Sequence, residues 1–369
     1  MEYVQQLNTF VSGGVPSYGK TFNDIKWGVE YCLANCSGDF QPLTFFRTFE
    51  RFAVLDNIGN EFGVVIALAI FWTLLRYLLS FFIFEPIAKL AKLRQPDAAK
   101  YPESAWKFIV YTITLSLSCY IIFGLPQYNH IFYEPDSIWN DYVLVQSGLP
   151  NHVPGMRVEP VISWAYALQI SFYIHSIYAS LCMDAWRSDS NLMIFHHFLA
   201  ISLIGFSYLT RYHKIGLLVL FIHDPTDVVL EFTKCNVYFK TRGGLLYRLH
   251  DILSTIGFIT FALFWFVLRL YWMPLKILHS AGYGSMVRYS ETGHLPFYFF
   301  FNTMLWVLQL INAYWFLYIV SFLVKVVTGQ ISEVDDIREE EVIQRNLDMA
   351  TAKDNGHHQC HEVEGKKQA

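Results

Sequence analysis

Seven apolar windows, each long enough to cross a bilayer, constrain this chain more than any other feature. A crossing helix needs about 20 predominantly apolar residues. The windows are Phe62–Phe84, Trp106–Leu125, Val161–Cys182, Leu192–Thr210, Ile215–Thr233, Ile252–Trp272 and Phe297–Val324. The last is long enough to tilt or protrude. Hydrocarbon offers no partner to an open backbone amide, so each window is expected to be a helix. The expected fold is an all-α polytopic membrane protein of about seven transmembrane helices. Composition agrees: 54% of the 369 residues are hydrophobic and only 16% are charged, against about 25% charged in a soluble domain. This excludes a disordered chain or a coiled coil and argues against a soluble globular enzyme. A net charge of −4 argues against a nucleic-acid partner. Six cysteines in this length make no disulfide framework.

Lysine and arginine in the loops set the direction of insertion. The loop after the first window carries Lys89, Lys92, Arg94 and Lys100, and the one after the fifth carries Lys234, Lys240, Arg242 and Arg248. Both are expected to be cytosolic. The segment between Pro126 and Pro160 has Arg157 against Glu134, Asp136, Asp141 and Glu159, so it is expected to be lumenal. Seven spans then place the N-terminus in the lumen and the C-terminus in the cytosol, although Arg211 and Lys214 fall in a lumenal turn. Asn35-Cys36-Ser37 is a variant glycosylation sequon, usable only in the lumen. Lys366-Lys367-Gln368-Ala369 has the form of a dilysine retrieval signal, read from the cytosol, and points to the endoplasmic reticulum. Met1–Lys20 lacks an apolar core, so the first span is expected to serve as the anchor.

This gives a lumenal segment 1–61, a first span 62–84, a cytosolic loop 85–105, a six-span domain 106–325 and an acidic, polar cytosolic tail 326–369. The tail holds His357, His358, Cys360 and His361, which are metal ligands by type, but a flexible polar tail is the simpler account.

The chemically informative region is the fourth and fifth windows. The fourth opens with adjacent His196 and His197, and the fifth carries His223, Asp224, Asp227 and Glu231 and ends at Lys234. Three unpaired carboxylates in one span would cost roughly 5–10 kcal/mol, so they are expected to face a wet cavity or a bundle interior. His223 and Asp227, and Asp227 and Glu231, stand at i, i+4 and share one helix face. Pro225 removes a backbone donor beside them. Insertion from the cytosol puts His196 and His197 about 6–8 Å inside the fourth span, and Asp227 about 10 Å from the cytosolic end of the fifth. The two sets are therefore at similar depth. Four uses fit such a cluster. One is a metal site, although the zinc-protease spacing H-E-x-x-H is absent. The others are a proton relay, polar packing between helices, and acyl transfer. In the last, imidazole acts as base or as acyl acceptor beside an orienting carboxylate.

Met193-Ile194-Phe195-His196-His197, Ser207-Tyr208, Gly216 and the run His223-Asp224-Pro225-Thr226-Asp227 through Leu230-Glu231 to Lys234 resemble the Lag1 motif. That motif marks the ceramide synthases within the TRAM-Lag-CLN8 (TLC) domain family. Further stretches match, including Pro102–Phe108, Ser171–Tyr173, His175–Ala179, Asn236–Lys240, Pro296–Asn302 and Trp315–Val320. Arg211 and Lys214 stand where the family often has Asn and Arg. Many members carry a homeobox-like insert between the first two spans. Residues 85–105 are far too short for it, which matches the branch that lacks the insert and uses stearoyl-CoA.

The resemblance implies N-acylation of a sphingoid base by a fatty acyl-CoA, with stearoyl (C18) as the donor chain. His196 is then the acyl acceptor and Asp227 its partner, with His197, His223 and Asp224 also essential. Chain-length control falls near Ser280–Leu295. Acyl-CoA is a co-substrate, and no metal or other cofactor is expected. Beyond the two substrates and the bilayer, the implied partners are a second copy or another ceramide synthase. Arg187, Lys234, Lys240 and Arg242 are placed to meet the CoA phosphates, unless they report topology alone. A non-enzymatic lipid sensor of the same family is the alternative, though a sensor needs no such polar cluster. Arg76 and Arg269 lie near span ends and are expected to snorkel. His175 is expected to be a satisfied core histidine.

Overall fold

The computed structural model describes residues 15–35, 45–49, 58–141, 158–292 and 297–328. The rest of the sequon after Asn35, the histidine-bearing tail and the terminal lysine pair lie outside these. Among the described residues there is no strand. The long helices are α1 (Tyr18–Asn35), α2 (Ile58–Leu90), α3 (Gln95–Gly124), α4 (Pro160–Cys182), α5 (Ser190–Leu209), α6 (His213–Thr241), α7 (Tyr247–Glu291) and α8 (Tyr298–Val327).

Five of these, α2, α3, α5, α7 and α8, are long and apolar enough to cross a membrane. The two remaining windows form helices of 23 and 29 residues, α4 and α6. Both exceed the length a crossing requires. Gln169, His175 and several hydroxyls dilute α4, and α6 carries the His and carboxylate cluster.

The helices outrun the windows because polar ends extend them past the apolar stretch. Most of the segment 85–105, expected as a loop, is helical. Helix α2 runs on to Leu90, residues 91–94 turn, and α3 starts at Gln95-Pro96. Proline suits that first turn, where its missing donor would go unused. Helix α7 widens to π-type hydrogen bonding over Trp265–Leu278 and again over Ser280–Gly284, with Pro274 inside the first stretch. Such widened turns are rare and concentrate at functional sites.

Two cores hold the bundle. The larger is shared by α3, α4, α5, α6, α7, α8 and the helical turns between α3 and α4, and includes Ile131, Phe132, Leu217, Leu218, Ile222 and Met273. The smaller joins α2, α3 and α4 through Trp72, Trp106 and Phe172, where Trp72 Nε1 donates to Ser171 Oγ at 3.0 Å. The outer faces of α2 and α7 expose Phe81, Phe82, Ile256 and Leu263, as expected of surfaces that meet lipid.

The Ser207–Gly216 part of the motif is a packing device. Tyr166 on α4 donates to the His213 carbonyl at 2.8 Å, and Ser207 donates to the Tyr166 hydroxyl at 3.3 Å. A Cβ on Gly216 would lie 2.0 Å from that hydroxyl. Glycine is what lets α4, α5 and α6 close together here.

Candidate active site

Two cavities meet at His196 and Tyr173, which line both. The larger encloses about 1930 Å³ of empty space, counted to its open mouth. Its walls carry His196, His197, Asp227 and Glu231, with Lys107, Arg187 and Lys234 among the charged groups. The smaller holds about 820 Å³ of empty space, counted to its open side, and is lined almost wholly by apolar groups, with His223 among the few polar ones. Trp139, Ala281, Ser285, Phe297 and Tyr298 also line it.

The i, i+4 spacing of His223 and Asp227 places them on one face but not in one chamber. Four residues advance a helix by about 6 Å. His223 therefore opens on the apolar slot, while Asp227 and Glu231 open on the larger cavity. Asp224 lines neither. It is 1% exposed and accepts from Gln169 Nε2 at 3.0 Å.

His196 is held by rings. Trp315 meets it edge-on, with centroids 5.3 Å apart, and His197 lies 5.9 Å away. Trp315 Nε1 in turn donates to Asp189 Oδ2 at 3.0 Å. The Nδ1 atoms of His196 and His197 are buried and have no hydrogen-bond partner among the described residues. His223 is fixed at both nitrogens: Nδ1 lies 2.8 Å from the Val219 carbonyl, and Nε2 lies 3.2 Å from Asn312 Nδ2. A carbonyl can only accept and an amide NH₂ can only donate, so the proton sits on Nδ1.

Neither arginine expected to snorkel does so. Arg269 is 3% exposed and lies 2.6 Å from Asp227 Oδ1. Arg76 is 4% exposed and lies 2.5 Å from Asp184 Oδ1. The positions near span ends concealed carboxylate partners distant in sequence. Asp184 also accepts from Lys107 at 2.9 Å, and Lys107 and Arg187 both meet Glu103, at 2.6 and 3.0 Å. Burial would raise the Asp184 carboxyl, but Lys107 and Arg76 outweigh it and hold it below its ordinary range. His175 is buried, with Nδ1 2.9 Å from Thr73 Oγ1 and Nε2 unpartnered among the described residues.

Of the four cations considered for CoA, Arg187 and Lys234 line the larger cavity and Lys240 and Arg242 do not. Lys240 pairs with Asp251 at 2.7 Å. Arg242 donates to the Ala91 carbonyl at 2.8 Å and lies over the Phe239 ring. Lys100 and Lys107 line the cavity instead. Lys107 was detectable as the i, i+4 partner of Glu103. Asn312, an amide within an apolar span, was a similar signal. Asn35 is the end of α1, its Nδ2 donating to the Tyr31 carbonyl at 2.8 Å. No group of three or more potential metal ligands occurs among the described residues.

The TLC domain family model matches residues 100–321, the span that contains both cavities' catalytic-type residues. The chain is 48% identical to ceramide synthase 1 of Homo sapiens over 271 residues, covering 73% of each chain. It is 44% identical to ceramide synthase 1 of Mus musculus over 284 residues, covering 77% of each. Against ceramide synthase LOH1 of Arabidopsis thaliana it is 28% identical over 302 residues, covering 76% of this chain and 90% of that one. The chain belongs to the TLC domain family and, within it, to the ceramide synthases. It is a multi-pass membrane acyltransferase.

Proposed function

We propose that this protein transfers a stearoyl (C18) group from acyl-CoA to the amine of sphinganine or sphingosine, giving (dihydro)ceramide. The observation that carries this reading is the position of His196. It stands where an apolar slot suited to an acyl chain meets a polar, cation-bearing cavity suited to CoA and an amine. In this reading an imidazole nitrogen of His196 attacks the thioester carbonyl and the CoA thiolate leaves. The sphingoid amine, having lost a proton, attacks the acyl-imidazole. The amide forms as the bond to His196 breaks, and the amine's second proton leaves on the departing imidazole nitrogen.

Asp227 and His197 share the larger cavity with His196 and are the groups to accept the amine's proton. His223 and Asp224 hold the α6 wall in place. Arg187 and Lys234, with Lys100 and Lys107, receive the CoA phosphates; Lys240 and Arg242 have no part in this. No cofactor is needed, because a thioester is already activated.

In this reading α4 and α6 also cross the bilayer, making seven spans. The loop charges favour a lumenal N-terminus, a cytosolic C-terminus and a cavity mouth on the cytosolic side. The dilysine form of the tail favours the endoplasmic reticulum. Asn35 is then available for glycosylation, and a second ceramide synthase subunit for pairing.

The test is N-acyltransferase activity in microsomes with sphinganine and a panel of acyl-CoAs. Activity should peak at C18. A peak at C16 or C24 would retain the class and overturn the stearoyl assignment.

A further inference from the structure

Arg269 sits on the widened stretch of α7 and is almost fully buried. A buried guanidinium is tolerated only when its donors are matched, and here they are. Nε donates to Thr226 Oγ1 at 2.8 Å. Nη2 donates to the His223 carbonyl at 3.0 Å and to Asp227 Oδ1 at 2.6 Å. Nη1 reaches Asn312 Oδ1 at 3.5 Å, and the guanidinium carbon lies 4.1 Å from the Trp265 ring centroid. Three of these partners, His223, Thr226 and Asp227, belong to successive positions along little more than one turn of α6. Asn312 closes the circuit from α8 by donating to His223 Nε2.

Asp227 is held differently. Its side chain is 24% exposed, and it lines the same cavity as His196 and His197. Arg269 therefore grips one carboxylate oxygen from within the protein while the side chain stays open to the cavity. Lys234 also lines that cavity, two turns further along α6, and is occupied by Glu231 at 3.0 Å.

We propose that Arg269 is a positioning residue for the acyl transfer. By tethering Oδ1 it fixes the Asp227 carboxylate so that its other oxygen meets the substrate amine beside His196. The proposal rests on the reading of Asp227 as the partner of His196. The sphingoid ammonium gives up two protons in all: the amine nitrogen forms the amide bond as the bond from the acyl carbon to imidazole breaks, the second proton leaves on the departing imidazole nitrogen, and the first, which frees the amine to attack, goes to Asp227. A carboxylate already fixed at one oxygen takes that proton on the other without first being ordered. Arginine suits the task because its planar fork binds Asp227, Thr226 and the His223 carbonyl at once, which a lysine cannot.

The test uses the full chain in detergent as wild type, Arg269→Gln, Arg269→Lys, Asp227→Asn and the double variant Arg269→Gln/Asp227→Asn. Steady-state constants for sphinganine and stearoyl-CoA are measured beside thermal unfolding. Arg269→Gln is expected to lower kcat about a hundredfold, the scale of a misplaced catalytic group, while KM for stearoyl-CoA changes little. Arg269→Lys should recover part of the loss. In the Asp227→Asn background the same Gln substitution should cost less than about threefold, because no carboxylate remains to be held. The double variant leaves neither member of the pair charged, so it can be assayed against Asp227→Asn even if Arg269→Gln alone fails to fold. Wild-type kcat in Arg269→Gln, or losses that multiply in the double variant, would overturn the proposal. Wild-type kcat in Asp227→Asn would instead overturn the assignment of Asp227, and the proposal with it.

Discussion

Arg76 on α2 forms a buried ion pair with Asp184 in the loop that follows α4, 108 residues away in sequence and 2.5 Å away in space. Both side chains are 5% exposed. Lys107 on α3 meets the same carboxylate, so two helices converge on Asp184. Removing one partner of such a pair leaves a buried charge without compensation. Arg76→Ala is expected to destabilise the protein by about 3–5 kcal/mol, read as a large drop in melting temperature in detergent. A melting temperature unchanged by the substitution would refute this role.

The same carboxyl predicts a pH dependence. Its pKa lies below the ordinary aspartate value because Lys107 and Arg76 overcome the effect of burial. A lowered carboxylate pKa contributes stability above the unfolded-state value of about 3.9, and that contribution is lost as pH falls through the folded-state value. Asn at position 184 mimics the protonated form. The gap in melting temperature between wild type and Asp184→Asn should therefore be constant from neutrality to mildly acidic pH and shrink below about pH 4. A gap that does not change with pH would show that the ion pairs are not its source.

One wall of the apolar slot is tied down by hydrogen bonds. Trp139 Nε1 donates to both the carbonyl and the hydroxyl of Ser280 at 2.9 Å. Tyr298 holds the Gly282 carbonyl at 2.9 Å. Gly28 of α1 packs so tightly behind Gly282 that a Cβ there would lie 2.2 Å from the Gly282 oxygen. Ala281 lines the slot on this wall. Ala281→Leu should fill part of the slot and shift preference from C18 toward shorter acyl-CoAs by about tenfold in relative kcat/KM, the scale of a methylene or two in an apolar pocket. An unaltered chain-length profile would place the acyl chain elsewhere.

Gly216 makes a prediction independent of chemistry. The Cβ of Gly216→Ala would press on the Tyr166 hydroxyl at 2.0 Å and on Ser207 Oγ at 3.0 Å. Overpacking of this kind costs about 1–3 kcal/mol. Tyr166→Phe/Gly216→Ala should recover part of the loss by removing the clashing oxygen. A neutral Gly216→Ala would mean that α4 and α6 can separate without penalty.

Much of this was legible in the chain, and the exceptions share a cause. Runs of apolar residues locate the long helices α2 to α8, though not α1, because lipid imposes one requirement on every span. His196, His197 and Asp227 converge because helix rise alone fixes their depth. The partners of Arg76 and Arg269 were invisible because a cation near a span end satisfies snorkelling and ion pairing equally well. Choosing between them needs Asp184 and Asp227 in space. The division of His223 from Asp227 was likewise hidden. Helical spacing gives the shared face but not the His196–Tyr173 partition that crosses it. The polar ends of α2, α3 and α7 extend helices beyond the hydrocarbon, where composition resembles that of a loop.

The central claim is that His196 accepts the acyl group. Purified protein incubated with stearoyl-CoA in the absence of any sphingoid base, then analysed by intact mass and peptide mapping, tests it most directly. Wild type should carry one stearoyl group on His196 that is discharged to ceramide when sphinganine is added, and His196→Ala should carry none. A fully active wild type with no covalent acyl group, or a His196→Ala variant that still makes ceramide, would contradict it.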